Sequence, residues 1–136
     1  MPFVIDASVS ACWLLPDESH PIADAAFDRF PRDTAIAPSL WWFEMRNIFL
    51  SSERRGRLNP AITEQFLSLL NALPIRLDHR PNDSVLLTLA RRHKLTAYDA
   101  AYLELALREG LALATLDAAL IQAAKAEGLD VIGDLI

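Results

Sequence analysis

Two carboxylates in the sequence lie beside apolar segments, where an acidic side chain can serve chemistry. In the stretch 94–106, Thr96 can cap a helix with its hydroxyl, and Asp99 stands three residues later, as in a capping box. Alanine and leucine then make this helix apolar on nearly every side, which is typical of a buried helix. The apolar run 111–116 ends in Asp117. The pattern therefore predicts one acid at the start of a buried helix and another at the end of an apolar run.

Two further acids lie in comparable surroundings. Asp6 directly follows the apolar stretch Phe3–Ile5, and Glu44 lies inside a predicted helix among aromatic and aliphatic side chains. A carboxylate near so much apolar surface has to be paired, protonated or bound to a cation. Asn47 lies three positions further on the same helix face, and its amide could hold Glu44 in place or orient a water molecule.

Each acid near a helix start also has a simple structural interpretation, because aspartate is common there. Asp6 and Asp117 could only cap the helices that follow them, and Asp99 could be only a capping-box residue. Ser8 and Thr115 each lie two residues from an acid. Their hydroxyls could bind the carboxylates or a metal-bound water, or could serve only helix capping and packing at a strand end.

Four carboxylates that converge without a nearby lysine or arginine would repel one another, and a divalent cation would relieve that repulsion. Ligand sets made only of oxygen favour hard ions such as Mg²⁺ or Mn²⁺, and the sequence has no cysteine and histidine cluster with zinc spacing. Such an ion activates water and stabilises the charge on a phosphodiester under attack. The acids therefore predict a metal site formed by Asp6, Glu44, Asp99 and Asp117.

The elements that must position these acids alternate between strand and helix. We predict strands at 3–5, 34–37, 75–77, 112–115 and 131–132. The predicted helices are 9–15, ended by Pro16; 22–30; 40–55, capped by Ser39; 60–73, capped by Asn59; 85–93, capped by Ser84 or Asp83; 97–109; and 118–127. This alternation predicts an α/β domain with a mostly parallel, five-stranded sheet that is covered on both faces.

The predicted sheet also indicates where a site belongs. In parallel sheets of this kind, the site lies beyond the carboxyl ends of the strands, near the point where the strand order reverses. Asp6 follows the first predicted strand and Asp117 follows the fourth. We therefore expect these two acids to meet if the two strands are neighbours.

Length and composition narrow the class of protein. The chain has 136 residues, which predicts a single domain over 1–136, and its hydrophobic content of 52% excludes a disordered chain. It has no uninterrupted apolar run of ~18 residues and no basic segment at its start, so we expect neither a membrane span nor a secretion signal. Cys12, the only cysteine, has apolar neighbours and is predicted to be a buried packing thiol. The expected location is the cytoplasm.

The charge pattern bears on nucleic-acid binding. The net charge of −5 argues weakly against such binding, although a local basic stripe or bound cations can reverse the local field. Basic residues cluster at 54–57 and at 91–94. These clusters could contact phosphates beside the acids, or could only be favourable cations at the C-termini of helices.

Four segments together resemble a known family. They are 4–8, 37–47, 96–106 and 114–117, and they resemble the four signature stretches of PIN-domain nucleases, most of all those of VapC-type toxins from bacterial and archaeal toxin–antitoxin pairs. The resemblance spans almost the whole chain, in the family's order. It implies a three-layer α/β/α fold, Mg²⁺-dependent endoribonuclease activity with Mn²⁺ as a possible substitute, a homodimer, and inhibition by a cognate VapB-type antitoxin.

Carried over residue by residue, the resemblance implies four catalytic and metal-binding acids and three supporting residues: Asp6, Glu44, Asp99 and Asp117, with Ser8, Asn47 and Thr115. Two positions depart from the family's pattern. Arg46 stands where a small or apolar residue is usual, which could alter contacts with antitoxin or RNA. Leu120 stands where an aromatic residue is common, which concerns packing.

We therefore interpret the sequence as a VapC-type ribonuclease that cleaves RNA with a metal-activated water, as a homodimer or in a larger toxin–antitoxin assembly. Two alternatives stay open: a PIN nuclease in RNA processing without an antitoxin, and a catalytically silent PIN-like module that binds protein or RNA. Trp13, Trp41 and Trp42 are expected to supply mostly core surface. They could also line a groove for an amphipathic antitoxin helix, whose following segment would place an arginine or lysine among the acids.

Overall fold

The computed structural model describes residues 1–15 and 17–133. Its elements, in chain order, are β1 (Phe3–Ile5), α1 (Ala7–Leu14), α2 (Pro21–Phe27), β2 (Ala35–Pro38), α3 (Leu40–Arg54), α4 (Pro60–Ala72), β3 (Ile75–Asp78), α5 (Asp83–His93), α6 (Ala97–Glu109), β4 (Leu113–Ala114) and α7 (Ala118–Ala126). Strand and helix alternate as the sequence predicted, and the α/β fold class is confirmed.

The strands form one parallel sheet in the order β3-β2-β1-β4. Every residue of β1 and β2 is buried. Because successive side chains of a strand point to opposite faces, this burial requires helices on both faces of the sheet. Chain order runs from β1 outward to β3 on one side, and β4 lies on the other side of β1. The strand order therefore reverses between β1 and β4, where the sequence placed the two acids.

The predicted fifth strand at 131–132 is wrong as a strand. Val131 forms a single parallel bridge with Leu113, so the described sheet has four strands. Leu113 donates to the carbonyl of Asp130 and accepts from the N–H of Ile132. The chain then turns at Gly133, whose φ of +78° leaves the extended region, and the ladder cannot continue.

Helix α6 is the buried helix that its composition predicted. All seven residues from Ala100 to Ala106 are buried, and the helix packs against β1, β2 and β4. Thr96 caps it, and Gly110 ends it in the left-handed conformation. The start of α6 is therefore held by the same sheet that carries Asp6.

Several local predictions need correction. Asn82, rather than Ser84 or Asp83, caps α5, because the Asn82 side chain accepts from the N–H of Val85. Ser39 occupies the cap position of α3 but makes no side-chain cap hydrogen bond, because its own backbone is already helical.

Other predictions concern the ends of the first helices. The predicted end of the first helix at Pro16 lies outside the described residues. Helix α2 ends at Phe27 rather than at residue 30, and Cys12 is half-buried rather than buried. In residues 1–15 and 17–133, the helices are all too short or too polar to cross a bilayer.

Candidate active site

Asp6 lies between β1 and α1, and only 7% of the residue is exposed. It caps α1, since its Oδ1 accepts a hydrogen bond of 3.1 Å from the N–H of Val9. The same oxygen accepts from Ser8 Oγ at 2.6 Å, and Oδ2 accepts from Thr115 Oγ1. Burial raises the pKa of Asp6, these three donors lower it, and the charge of Asp99 raises it again. Asp6 is therefore both a helix cap and a desolvated carboxylate close to a second acid.

The hydroxyls of Ser8 and Thr115 connect the end of β1 with the segment after β4. Ser8 Oγ accepts from the N–H of Leu116 at 3.1 Å, and Thr115 Oγ1 accepts from the N–H of Asp117 at 3.1 Å. Each hydroxyl thus donates to the Asp6 carboxylate and accepts from the segment that carries Asp117. The two hydroxyls therefore link the Asp6 side chain to the backbone of Leu116 and Asp117.

Asp117 and Asp99 lie at the starts of two neighbouring helices. Asp117 is exposed and caps α7, with its Oδ1 accepting from the N–H of Leu120 at 2.9 Å. Asp99 lies in the first turn of α6, and its N–H donates to Thr96 Oγ1 at 3.1 Å. Burial raises the pKa of Asp99, the charge of Asp117 raises it further, and a side-chain hydrogen bond with Thr96 lowers it. The two carboxylates are thus close enough to repel one another.

Glu44 projects into the same region from the second turn of α3, where it is half-buried. Its Oε1 accepts a hydrogen bond from the hydroxyl of Tyr102, a residue of α6 that is only 2% exposed. Burial raises the pKa of Glu44, the hydrogen bond from Tyr102 lowers it, and the charges of Asp6 and Asp99 raise it. The structure therefore brings Glu44 close to two of the other three acids.

The role of Tyr102 was not predicted from the sequence, where Asn47 was the candidate partner of Glu44. Asn47 is exposed, and the described hydrogen bonds of Glu44 do not include it. Residues three apart share a helix face, but Asn47 is exposed there, and Glu44 instead takes its partner from α6. The available signal for Tyr102 was a hydroxyl inside an otherwise apolar, buried helix, because such a hydroxyl needs a partner.

The four acids form an uncompensated negative cluster. The ion pairs described for residues 1–15 and 17–133 include none of the four. Their donor atoms are all oxygen, which suits a hard divalent cation. In the described residues, however, no three acidic, histidine or cysteine side chains are drawn together closely enough to hold one ion. The cluster fits Mg²⁺ or Mn²⁺ by donor chemistry and charge. Its carboxylates would have to move closer together to bind one ion jointly.

Two of the three tryptophans pack within the fold, although Trp13 also lines a surface cavity with Cys12 and Asp24. The ring of Trp13 packs edge-on against Phe27 and Phe30. Trp41 is 4% exposed, and its Nε1 donates to Ser10 Oγ at 3.0 Å. Trp13 and Trp41 thus supply mostly core surface, as the sequence predicted, and Trp42 is the most exposed of the three.

Trp42 and Phe43 form an exposed aromatic patch at the start of α3. Their ring centroids are 5.0 Å apart, and Phe43 is 69% exposed. The guanidinium of Arg46 lies over the Trp42 ring at 3.8 Å from its centroid and donates to the Trp42 carbonyl. The departure at position 46 thus adds a stacked cation to this patch, and Arg46 does not pair with Glu44.

The two basic clusters lie at helix C-termini. Arg92 and His93, at the end of α5, both contact Glu127 Oε2, at 2.7 and 2.6 Å. Arg54 ends α3, and Arg55 is its C-terminal cap. The contacts of Arg92 and His93 with Glu127 favour a structural role for these two residues.

Comparisons with known proteins bear on the fold and the family of this chain. The structure matches the crystal structure of PAE2754 from Pyrobaculum aerophilum with a TM-score of 0.71 and 24% identity, over 90% of this chain and 84% of that one. It matches the crystal structure of FitAcB from Neisseria gonorrhoeae with a TM-score of 0.65 and 17% identity, over 97% and 96%. At these identities, the two likenesses concern the fold alone. No curated protein matches the chain in sequence. The family model described as PIN domain matches residues 3–126, and the chain therefore belongs to the PIN-domain family.

Proposed function

We propose that this protein is a Mg²⁺-dependent endoribonuclease that acts as the toxin of a VapBC-type toxin–antitoxin pair. PIN domains are generally nucleases. The observation that carries the proposal is the cluster of four acids at the carboxyl edge of the sheet. Burial raises the pKa of Asp6, Glu44 and Asp99, and the charges of neighbouring acids raise these pKa values further. Such a cluster favours a divalent cation and, through it, chemistry on phosphodiesters.

Asp6, Glu44, Asp99 and Asp117 would hold the ion, and Mn²⁺ is a possible substitute for Mg²⁺. When bound, the ion would activate a water and stabilise the negative charge that develops on the phosphodiester. Ser8 and Thr115 orient the Asp6 carboxylate through both of its oxygens. Hydrogen bonds of this kind to a metal ligand fix the direction in which the ligand presents its lone pairs.

The metal requirement is tested with purified protein and a structured RNA. We expect cleavage with Mg²⁺ or Mn²⁺, its loss in excess chelator, and its return when the ion is added back. Cleavage that continues in excess chelator would contradict the metal mechanism. Metal binding without cleavage of any RNA tested would favour a silent binding module.

The toxin assignment rests on the resemblance of the four signature stretches to VapC-type toxins. The aromatic patch of Trp42 and Phe43, with Arg46 stacked on it, offers an exposed apolar surface on the helix that carries Glu44. We propose a VapB-type antitoxin as the partner and a homodimer as the form of the enzyme. An amphipathic antitoxin helix would bind the patch, and its following segment would place an arginine or lysine among the acids.

A cognate antitoxin fragment separates the toxin from an RNA-processing nuclease. We expect the fragment to inhibit cleavage, to compete partly with Mg²⁺, and to lose inhibition more than binding when its basic residue is replaced. Binding that is unchanged across Mg²⁺ concentrations and leaves cleavage intact would contradict direct blocking of the site. A neighbouring gene that encodes no small DNA-binding protein would favour the RNA-processing alternative.

A further inference from the structure

We infer that Tyr102 is a positioning residue, which orients Glu44 toward the other acids. The inference rests on the proposed function, because it assigns a role within that same site. Glu44 differs from Asp6 and Asp117, whose carboxylates are fixed by backbone N–H groups at helix starts. Glu44 lies in the second turn of α3, just past the first four residues, whose backbone N–H groups have no acceptor within the helix. A separate contact is therefore needed to hold its carboxylate.

Tyr102 meets this need because its own position is fixed by packing. The residue is 2% exposed, and its hydroxyl donates to Glu44 Oε1. A glutamate side chain has several rotatable bonds and loses conformational freedom when it is held in one orientation. A buried ring places its hydroxyl at a single point, so the hydrogen bond selects the Glu44 orientations that reach this point.

The contact also sets the relation between Glu44 and Asp99. Tyr102 lies three residues after Asp99 on α6, and residues at this spacing share a helix face. Helix α6 packs against the sheet through β1, β2 and β4, whereas α3 packs mainly on α1 and β2. The hydrogen bond therefore ties a side chain of α3 to the helix that carries Asp99.

A tyrosine hydroxyl suits this role better than a basic side chain would. Lysine or arginine would neutralise Glu44 and compete with a metal ion for its charge. The phenol is neutral and donates one hydrogen bond. It thus orients one carboxylate oxygen while the cluster keeps the negative charge that attracts a cation.

The test is Tyr102→Phe, which keeps the buried ring and removes only the hydroxyl. Tyr98→Phe is the matched control, because Tyr98 lies one turn earlier on the same helix and is 66% exposed. The first measurement is Mn²⁺ affinity by titration calorimetry. We expect Tyr102→Phe to weaken binding about 10-fold, the scale for loss of an outer contact to a metal ligand, and Tyr98→Phe to leave it unchanged.

The second measurement is the metal-free carboxyl ¹³C resonance of Glu44, assigned by its loss in Glu44→Gln. We expect this resonance to move in Tyr102→Phe and to stay in place in Tyr98→Phe, with both variants melting cooperatively. In a Glu44→Gln background, Tyr102→Phe should cause no further loss of Mn²⁺ affinity, because the hydroxyl acts through Glu44.

The outcomes separate this inference from the proposed function. A Glu44 resonance that does not respond to Tyr102→Phe would overturn the positioning role, as would an equal loss of affinity in the Glu44→Gln background. If the wild-type protein binds no Mn²⁺ while the resonance responds to Tyr102→Phe, the positioning contact is supported and the metal-dependent function is wrong.

Discussion

The acidic residues of this protein lie in two kinds of surroundings. At the carboxyl edge of the sheet, burial raises the pKa of Asp6, Glu44 and Asp99, and each carries the added repulsion of a neighbouring acid. At the end of β3, by contrast, hydrogen bonds from Arg108 hold the pKa of Asp78 below its ordinary value. The pKa values of acidic side chains are thus raised in one region of this small domain and lowered in the other.

The second region, where Arg108 compensates the acids Asp78 and Glu104, includes an acid that is more deeply buried than any at the candidate site. Glu104 is 1% exposed, yet Arg108 donates to both of its carboxylate oxygens, at 2.8 and 3.0 Å. Arg108 also donates to Asp78 Oδ2 at 2.7 Å and so joins α6 to β3. Burial alone therefore does not distinguish the acids of the candidate site from Glu104. The presence or absence of a bound cationic side chain does.

The strongest test of this comparison is Asp99→Asn. Removing a ligand of the proposed metal should lower RNA cleavage by at least about 100-fold, because even changes next to a ligand cost 10- to 100-fold. The folded state should keep or gain stability, since the charge repelled by Asp117 is gone. Cleavage and thermal melting are measured on the same preparation.

Asp83→Asn is the control, because Asp83 lies in the first turn of α5 and is exposed. It should leave cleavage unchanged. If Asp99→Asn instead lost stability and kept its cleavage, Asp99 would be only a helix-start residue, and the contrast between the two regions would disappear.

The compensated region should respond in the opposite way to Arg108→Met. The variant keeps much of the apolar stem but leaves buried Glu104 without its cation, which should cost about 2 kcal/mol or more of unfolding free energy. Cleavage per folded molecule should stay unchanged, because Arg108 lies nine residues and about 13 Å along α6 from Asp99. Urea unfolding measures the loss. An undiminished stability would show that Glu104 does not depend on this pair.

Metal and pH together sharpen the comparison. The folded pKa values of Asp6 and Asp99 lie above their ordinary value of 3.8. Their protonated forms therefore favour folding below that value, and this contribution is lost as the pH rises through the folded pKa values. Mg²⁺ needs the ionised acids, so it should stabilise the protein at pH 7.5 and have little effect at pH 4. At a Mg²⁺ concentration ten times its Kd, the free energy of unfolding should rise by about 1.4 kcal/mol.

Thermal melting with and without Mg²⁺ at the two pH values measures this gain. Asp99→Asn serves as the reference, because it removes one proposed ligand and should reduce the gain at pH 7.5. An equal gain at both pH values would indicate that Mg²⁺ acts at another place.

Much of the fold was predictable because local patterns and tertiary structure agree. The alternation of strand and helix predicted the parallel sheet, and the apolar character of α6 predicted its burial. The meeting of Asp6 with the segment of Asp117 followed from one condition, that β1 and β4 are neighbours. The prediction of a strand at 131–132 was wrong because two apolar residues are too few to specify a strand when the next residue, Gly133, turns the chain.

Contacts between distant residues were not predictable in the same way. Tyr102 and Glu44 are 58 positions apart, and nothing local in either segment links them. The pair of Glu104 and Arg108 has the spacing of a helical ion pair, but the approach of Asp78 depends on how β3 lies against α6. The positions of acids at strand ends can therefore be predicted from a sequence, whereas their side-chain partners depend on packing.

The smallest predicted effect concerns Glu127, where hydrogen bonds from His93 and Arg92 hold its pKa below the ordinary value of 4.5. An acid with a lowered folded pKa stabilises the fold fully above its ordinary value, and this contribution disappears as the pH falls through the folded pKa. Glu127→Gln should therefore cost about 0.5–1 kcal/mol at pH 7, the range for partly exposed pairs, and nothing near pH 2. Urea unfolding across this range measures the difference, with exposed Glu109→Gln as the control. A stability difference that persisted in acid would mean that Glu127 stabilises α5 and α7 by packing. Its ion pairs with Arg92 and His93 would then not account for its contribution.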